Sequence, residues 1–238
     1  MSLHLQPGDD HHEPQRSLGT ELKHSMVRTF LPVLLPLAVM WLLWLVNMWT
    51  GNWLNLTLRL TPRSLEGLSG ILFMPVLHGS FGHLLGNTFS WLVLGGMVSL
   101  LTRRFTFVMS GIWLVSGIVL WLIGTPWVLR PDGSSWGGHV GASGVIYGFA
   151  GFLIIYGLIT RRVVAMVFAI FVIVFYGLSM LVGMMPVAAG MRVSWTGHLA
   201  GAVAGVAVAW IFTRGVREER RSRPSRTPAA SDEAPPWF

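Results

Sequence analysis

The sequence predicts an all-α, polytopic membrane protein built from six transmembrane helices. Hydrophobic residues make up 53% of the 238 residues and charged residues only 11%, which is too apolar for one soluble domain of this length. A transmembrane helix needs roughly 20 mainly apolar residues, and the predicted helices contain neither Asp nor Glu. They cover residues 30–49, 83–101, 105–123, 143–159, 163–182 and 195–213.

The segments outside these helices have distinct compositions. Residues 1–28 are a predicted polar cytoplasmic tail, residues 29–214 the membrane-embedded domain, and residues 215–238 a tail that we expect to be disordered. In the first outer loop, apolar and polar residues alternate strictly from Leu54 to Leu60, which predicts an element lying in the membrane interface. Pro and Gly residues in loop 124–140 predict a tight turn. The short apolar loop 183–194 is expected to cover the space between helices.

Basic residues are distributed unevenly between the two ends of the helices. Of the 17 Lys and Arg residues, only Arg59, Arg63, Arg130 and Arg192 flank the predicted outer side. Basic loops favour the cytoplasmic side, so both termini are predicted to be cytoplasmic. The compact layout and the preference for Arg over Lys favour a bacterial plasma membrane.

The same topology, together with contact with anionic headgroups, accounts for the net charge of +7. A lipid bilayer is therefore the expected partner, and nucleic acid is not. The absence of Cys excludes thiol catalysis, thiolate metal sites and disulfides.

Four polar side chains stand in the first turns of three helices that run inward from the predicted outer face. His83 and Asn87 lie in the second helix, Ser143 begins the fourth, and His198 lies in the sixth. Polar groups at this depth are costly and usually face the bundle interior or a water-filled cavity. A hydroxyl and an imidazole at one level are a potential nucleophile and its base, so the pattern predicts a serine hydrolase that works inside a bilayer.

Glycines recur at about four-residue intervals on the two helices that carry these groups. They are Gly141, Gly144, Gly148 and Gly151 on one helix, and Gly197, Gly201 and Gly205 on the other. Small residues at this spacing allow membrane helices to pack closely. If the two glycine faces meet, Ser143 Oγ and the His198 ring can come within about 2.6 to 3.2 Å.

These residues resemble the rhomboid family of intramembrane serine proteases, over residues 78–208. The matching motifs are Gly141-Ala142-Ser143-Gly144 with Tyr147 four residues after the serine, Gly197-His198 followed by Ala200-Gly201, and His78, His83 and Asn87 in the order H-x4-H-x3-N. The Trp-Arg pair common in the family's first outer loop is not evident. The resemblance gives no role to His139.

The resemblance implies a six-helix rhomboid-like bundle with a Ser143–His198 catalytic dyad and no cofactor or metal. It further implies an oxyanion site formed by the Ser143 N–H, His83 and Asn87, and stacking of Tyr147 on His198. The residues implied to support the site are Gly141, Gly144, Gly197 and His78. The expected reaction is cleavage of single-span membrane proteins near the outer membrane face through an acyl-enzyme.

Two other functions remain open from the sequence. A rhomboid-like pseudoenzyme would bind or escort membrane helices without cutting them. A haem held between His83 and His198 would make the chain a bis-His haem-binding membrane protein, although this leaves Ser143 and Asn87 without a role. A zinc protease is disfavoured because the sequence has no H-E-x-x-H motif.

Overall fold

Helices dominate the computed structural model of this chain, which describes residues 18–125, 128–129, 135–136, 138–186 and 193–222. The helices are α1 (Leu18–Trp49), α2 (Trp53–Thr57), α3 (Gly70–Phe73), α4 (Phe81–Ser90), α5 (Gly96–Leu101), α6 (Phe105–Ile123), α7 (Ser143–Thr160), α8 (Val163–Gly183) and α9 (Trp195–Ser222). A 3₁₀ turn covers Met74–Val76, and a π-helical segment, Trp91–Gly95, joins α4 to α5. The predicted all-α class is confirmed.

Within the described residues, six helical segments are long and apolar enough to cross a membrane, as predicted. They are Lys23–Trp49, Phe81–Leu101, Phe105–Ile123, Ser143–Thr160, Val163–Gly183 and Trp195–Arg214. The segments containing α7 and α9 are the most enclosed, with 56% and 61% of their residues buried, against 17% for α1 and 22% for α8. The bundle is therefore built around α7 and α9, which carry Ser143 and His198.

Both ends of the membrane domain are more helical than the sequence analysis expected. Helix α1 begins at Leu18, inside the predicted tail 1–28, and α9 continues to Ser222, inside the predicted disordered tail. Arg, Lys and Glu, which are frequent at both ends, are good helix formers. Both helices therefore continue beyond the apolar stretches that could cross a membrane, Lys23–Trp49 and Trp195–Arg214.

The alternating segment of the first outer loop is partly helical, and its alternation does not sort into buried apolar and exposed polar side chains, while its position in the membrane interface stays a prediction. Helix α2 covers part of it, and the polar Asn55 is fully buried while the apolar Leu56 is half exposed. Two-residue alternation describes a strand, and it fails here because Asn55 is held by buried hydrogen bonds.

Two short strands in the loop before α7 pair antiparallel. They are β1 (Val128–Leu129) and β2 (Ser135–Trp136), with Val128 opposite Trp136. The tight turn predicted for this loop falls between the two strands, on residues outside the described part of the chain. The Pro126, Pro131, Gly133 and Gly137 residues used for that prediction lie outside the described residues, as do residues 187–192 of the loop before α9.

Large aromatic side chains fill the core next to the π-helical segment. Trp91, which is fully buried, donates its indole N–H to the Val33 carbonyl at 2.9 Å. Its ring packs edge-on against Phe149 of α7, with centroids 5.1 Å apart. These contacts join α1, the second membrane span and α7, and they fix the helix that carries His83 and Asn87 against the helix that begins at Ser143.

Candidate active site

Backbone contact between α7 and α9 places the two helices that carry Ser143 and His198 side by side. A Cβ atom on Gly201 would lie 1.9 Å from the Gly144 carbonyl oxygen, and one on Gly205 would lie 2.0 Å from the Gly148 oxygen. Near the start of the two helices, a Cβ on Gly144 would lie 3.2 Å from the Gly197 oxygen. The prediction that the two glycine faces meet is therefore confirmed.

The chain reaches Ser143 through a backbone conformation that favours glycine. Gly141 has a φ of +122°, which L side chains rarely adopt, and its N–H donates to the Met74 carbonyl at 2.9 Å. Ala142 then precedes α7, and its side chain makes no capping hydrogen bond. The first N–H groups of the helix, including that of Ser143, lie at the positive end of the helix dipole.

The His198 ring is held on two sides. Its Nδ1 lies 2.9 Å from the Gly183 carbonyl oxygen, which can only accept, so Nδ1 carries the proton. The Tyr147 ring stacks on it with centroids 4.0 Å apart and an angle of 9° between planes. The imidazole Nε2 is buried and makes no hydrogen bond within the described part of the chain. His198 therefore presents an unprotonated, unpartnered nitrogen.

The Ser143 hydroxyl does not hydrogen-bond to His198 in this conformation, because Nε2 has no partner within 3.5 Å. Catalytic hydrogen bonds are often long or poorly aligned without substrate and shorten when it binds. The two helices are already in backbone contact. A hydrogen bond between Ser143 and His198 therefore requires only a change of the Ser143 rotamer or a small shift of the loop before α7.

His83 and Asn87 surround the glycine that leads to Ser143. A Cβ on Gly141 would lie 2.5 Å from His83 Cε1 and 3.5 Å from Asn87 Nδ2. Asn87 Nδ2 also donates one hydrogen to His78 Nε2 at 2.9 Å, which leaves its second hydrogen free for another acceptor. The structure thus gathers the residues of the H-x4-H-x3-N motif beside the serine loop.

A buried chain of amides supports this cluster, and the sequence analysis did not identify it. Asn47 Nδ2 donates to Asn55 Oδ1 at 2.7 Å, and Asn55 Nδ2 donates to the His78 carbonyl at 2.9 Å. His78 in turn accepts from Asn87. The network connects the end of α1 and the first outer loop to the predicted oxyanion residues. The sequence signal was an Asn at the end of an apolar helix, with a second Asn eight residues later.

His78 is neutral in this network. Burial, together with the nearby His83, lowers the pKa of His78 to about 3. The two imidazoles pack edge to face with centroids 5.2 Å apart. A neutral His78 with its proton on Nδ1 accepts from Asn87, which orients the Asn87 amide.

The fold and the site define a polytopic membrane protein in which a serine and a histidine lie near the starts of two spanning helices that are in backbone contact. The Rhomboid domain family model matches residues 65–215. The chain therefore belongs to the rhomboid family, whose members are generally intramembrane serine proteases.

Similar proteins occur in mycobacteria. An uncharacterized protein of Mycobacterium tuberculosis (strain ATCC 25618 / H37Rv) is 38% identical over 187 residues, which cover 77% of this chain and 75% of that protein. An uncharacterized protein of Mycobacterium leprae (strain TN) is 36% identical over 225 residues, covering 90% of this chain and 86% of that protein.

Proposed function

We propose that this chain is a serine endopeptidase that hydrolyses peptide bonds of membrane-spanning proteins inside the bilayer. Ser143 is the nucleophile and His198 the general base. The observation that carries the proposal is the state of His198: its Nδ1 is bound to a carbonyl, its ring is stacked on Tyr147, and its buried Nε2 makes no hydrogen bond with the described residues. It lies on a helix in backbone contact with the one that begins at Ser143.

The proposed reaction has two halves. His198 Nε2 takes the proton of the Ser143 hydroxyl while Oγ bonds to the scissile carbonyl carbon. The tetrahedral intermediate collapses, the C–N bond breaks, and Nε2–H gives its proton to the leaving amine. Water then loses a proton to Nε2 and attacks the ester, after which Ser143 regains its proton.

The carbonyl of Gly183 takes the place that a carboxylate occupies in a catalytic triad. It fixes the tautomer of His198, while the stacked Tyr147 fixes the plane of the ring. A carbonyl carries only a partial charge, so it orients the imidazole without the full electrostatic stabilisation of an ionised acid. The dyad therefore relies on geometry more than on a third charged group.

The developing oxyanion is stabilised by donors from two helices. The proposed donors are the Ser143 N–H at the start of α7, the second amide hydrogen of Asn87, and His83. Losing one such donor typically costs about 2.7 to 4 kcal/mol in the transition state. Asn87→Ala is expected to lower kcat by about 10² to 10³-fold without abolishing it.

The proposed substrates are proteins with a single transmembrane helix, cut near the outer membrane face. This assignment is supported by the family and by the position of the site at the starts of α4, α7 and α9, which lie at one end of the bundle. The bias of basic residues to the opposite end supports cytoplasmic termini, and the mycobacterial relatives support a bacterial plasma membrane.

The test is labelling of the purified, reconstituted protein by a fluorophosphonate, followed by mapping of the modified peptide. We expect label on Ser143 and cleavage of a model single-span substrate in liposomes, with both lost in Ser143→Ala. Ser179→Ala, which removes an exposed hydroxyl from α8, is the matched control. Wild-type protein that binds the substrate but neither labels nor cleaves would identify a pseudoenzyme instead.

A further inference from the structure

We propose that His139 is a positioning residue that sets the separation of Ser143 and His198. Its imidazole binds Ser194, which directly precedes α9, while its backbone leads directly into the serine motif. This inference rests on the proposed function, because it assigns His139 a role in bringing the dyad together. It concerns a residue that the motifs of the site left without a role.

The ring of His139 bridges two loops. Its Nε2 lies 3.1 Å from the Thr125 carbonyl, so Nε2 carries the proton and donates. Its Nδ1 then accepts from the Ser194 hydroxyl, whose Oγ lies 2.6 Å away. The ring is 4% exposed. Both imidazole nitrogens are therefore satisfied by a neutral ring.

Ser194 is the cap of the helix that carries the proposed base. Its Oγ accepts the Gly197 N–H at 3.0 Å, and its carbonyl accepts the His198 N–H at 3.0 Å. A serine in this position satisfies donors that the helix cannot satisfy itself. The hydroxyl that binds His139 thus also fixes where α9 begins.

The backbone of His139 is equally fixed. It exchanges two hydrogen bonds with Leu60 of the first outer loop, at 2.7 and 3.1 Å. Two residues later, Gly141 binds the Met74 carbonyl. The segment between His139 and Ser143 therefore has little freedom to move independently of the ring.

The His139–Ser194 bond and the proposed dyad are related by position along the chain. Ser143 follows His139 by four residues, and His198 follows Ser194 by four residues. His139 and Ser194 are therefore a hydrogen-bonded imidazole–hydroxyl pair four residues before Ser143 and His198, with the two residue types exchanged between the two segments. Because these segments lead directly into α7 and α9, the length of the His139–Ser194 bond constrains the distance between the starts of the two helices.

Asn and Gln side chains each retain part of the hydrogen-bonding pattern of imidazole. Substituting His139 with one or the other therefore tests its two hydrogen bonds separately. In His139→Asn, the amide oxygen takes the approximate place of Nδ1 and keeps an acceptor for Ser194. In His139→Gln, the amide nitrogen takes the approximate place of Nε2 and keeps the donor for Thr125. The proposal requires that the Asn variant keep more activity than the Gln variant.

Turnover is measured per active site, titrated with a fluorophosphonate, so that loss of folded protein does not count as loss of rate. His139→Gln and Ser194→Ala are each expected to lower kcat about 10 to 100-fold with little change in KM, since a misplacement of about 1 Å can cost 10²-fold. His139→Asn should stay within about threefold of wild type. The His139→Gln/Ser194→Ala double variant should fall no further than either single variant.

A distance measurement gives a readout independent of activity. Because the chain has no Cys, spin labels can be placed on Leu65→Cys in the first outer loop and Leu199→Cys on α9, both exposed. His139→Gln should shift or broaden the distance distribution, and His139→Asn should not. If His139→Gln changes the distances but neither the wild type nor any variant is active, the proposed function fails while the positioning role stands. Equal activity and equal distances in the Asn and Gln variants, or additive effects in the double variant, would overturn the positioning role.

A separate observation lies at the opposite end of the bundle, where a cavity of about 410 Å³ opens between the starts of α1 and α6 and the end of α5. We infer that it binds the phosphate group of an anionic phospholipid. Its polar lining consists largely of Arg28, Arg103, Ser25, Thr29, Thr102 and Thr106. Among the described residues, its lining includes no carboxylate, and its volume is within the usual range for a small-molecule site.

Three features of the cavity favour an anion. Arg28 and Arg103 approach it from separate elements, which allows two guanidinium groups to bind one phosphate. Helix α6 begins beside it with no side-chain cap, so its first N–H groups are available as well. Ser99 donates to the Thr29 carbonyl, which holds the cavity wall formed by α1 against α5.

The surroundings favour a lipid over a free phosphate ion. The apolar side chains next to the cavity along the same helices face outward: Val27 is 50% exposed, Leu31 54%, Leu100 60% and Phe107 59%. These surfaces fit acyl chains that continue from a headgroup bound at Arg28 and Arg103. Basic pockets between transmembrane helices recognise phospholipid headgroups in this way.

The test uses native mass spectrometry of the full chain in detergent with phosphatidylglycerol or phosphatidylcholine added. Wild type should retain phosphatidylglycerol preferentially, and Arg28→Gln/Arg103→Gln should lower its affinity about thirtyfold, at roughly 1 kcal/mol per arginine. Arg104→Gln/Arg162→Gln removes two charges from the same end outside the cavity and should bind as wild type. If millimolar inorganic phosphate displaces the bound lipid and the protein does not prefer phosphatidylglycerol to phosphatidylcholine, the site binds a soluble anion. Equal binding of phosphatidylglycerol by both double variants would overturn the proposed lipid site.

Discussion

Replacing Gly201 with Ala tests whether the contact between α7 and α9 sets the geometry of the proposed dyad. The new Cβ would lie 1.9 Å from the Gly144 carbonyl oxygen, 2.6 Å from its carbon and 2.9 Å from its Cα. All three are backbone atoms, so no side chain can move aside. Since Cβ atoms essentially never approach closer than 3.0 Å, the helices must separate by at least about 1.1 Å.

This separation acts directly on the site, because Gly144 is the residue after Ser143 and Gly201 lies three residues after His198. Overpacking of this kind typically costs 1 to 3 kcal/mol of stability, and a misplacement of about 1 Å can cost 10²-fold in rate. We therefore expect Gly201→Ala to lower kcat about 100-fold for a single-span substrate in liposomes. We also expect a lower melting temperature.

Gly177→Ala on α8 is the matched control. No atom lies within 4 Å of a Cβ at that position, and Ala favours a helix over Gly by up to about 1 kcal/mol. The same chemical change should therefore leave activity unchanged and stability equal or slightly higher. Wild-type activity and melting temperature in Gly201→Ala would show that the close contact between the helices does not control the site.

Three further changes test other parts of the site. Tyr147→Phe should retain the ring stack on His198 and most of the activity. Tyr147→Ala should lower kcat about 2 to 12-fold, the equivalent of about 0.5 to 1.5 kcal/mol of ring contact. Equal rates in the two variants would show that stacking has no part in the mechanism. Asn55→Ala should destabilise the protein by about 1 to 3 kcal/mol, because it leaves the buried partners of Asn55 unsatisfied. Thr57→Ala, on the exposed face of α2, should not destabilise it. The melting temperatures of the two variants test this difference. Burial lowers the pKa of His139 to about 4, from an ordinary value of 6.5. The unfolded chain therefore binds a proton between these pH values while the folded protein does not, so stability should be lost as pH falls from 6.5 towards 4. His139→Gln should lose less stability over the same range. An identical dependence of stability on pH in wild type and His139→Gln would contradict a buried neutral His139.

The Gly183 carbonyl and the Ser194 cap show what the sequence could not reveal about the site. Gly183 is the last residue of α8, Ser194 directly precedes α9, and neither belongs to a motif. A backbone carbonyl leaves no trace in residue type, and a serine before a helix is common. Only the packing of α8 and α9 shows that one orients the base and the other joins it to His139.

The sequence by itself determined the six membrane crossings, because a bilayer requires long apolar helices with internally satisfied backbones. It also determined the close approach of α7 and α9, since only glycine leaves room for backbone against backbone. It predicted the cluster of His83, Asn87, Ser143 and His198 from their common depth.

Tertiary structure alone decided which polar groups are connected. Asn55 lies in a segment whose alternation predicts the wrong arrangement, and its burial depends on Asn47 and His78 being within reach. Hydrogen bonds between distant loops depend on distances of a few tenths of an ångström, and local sequence periodicity carries no information at that scale.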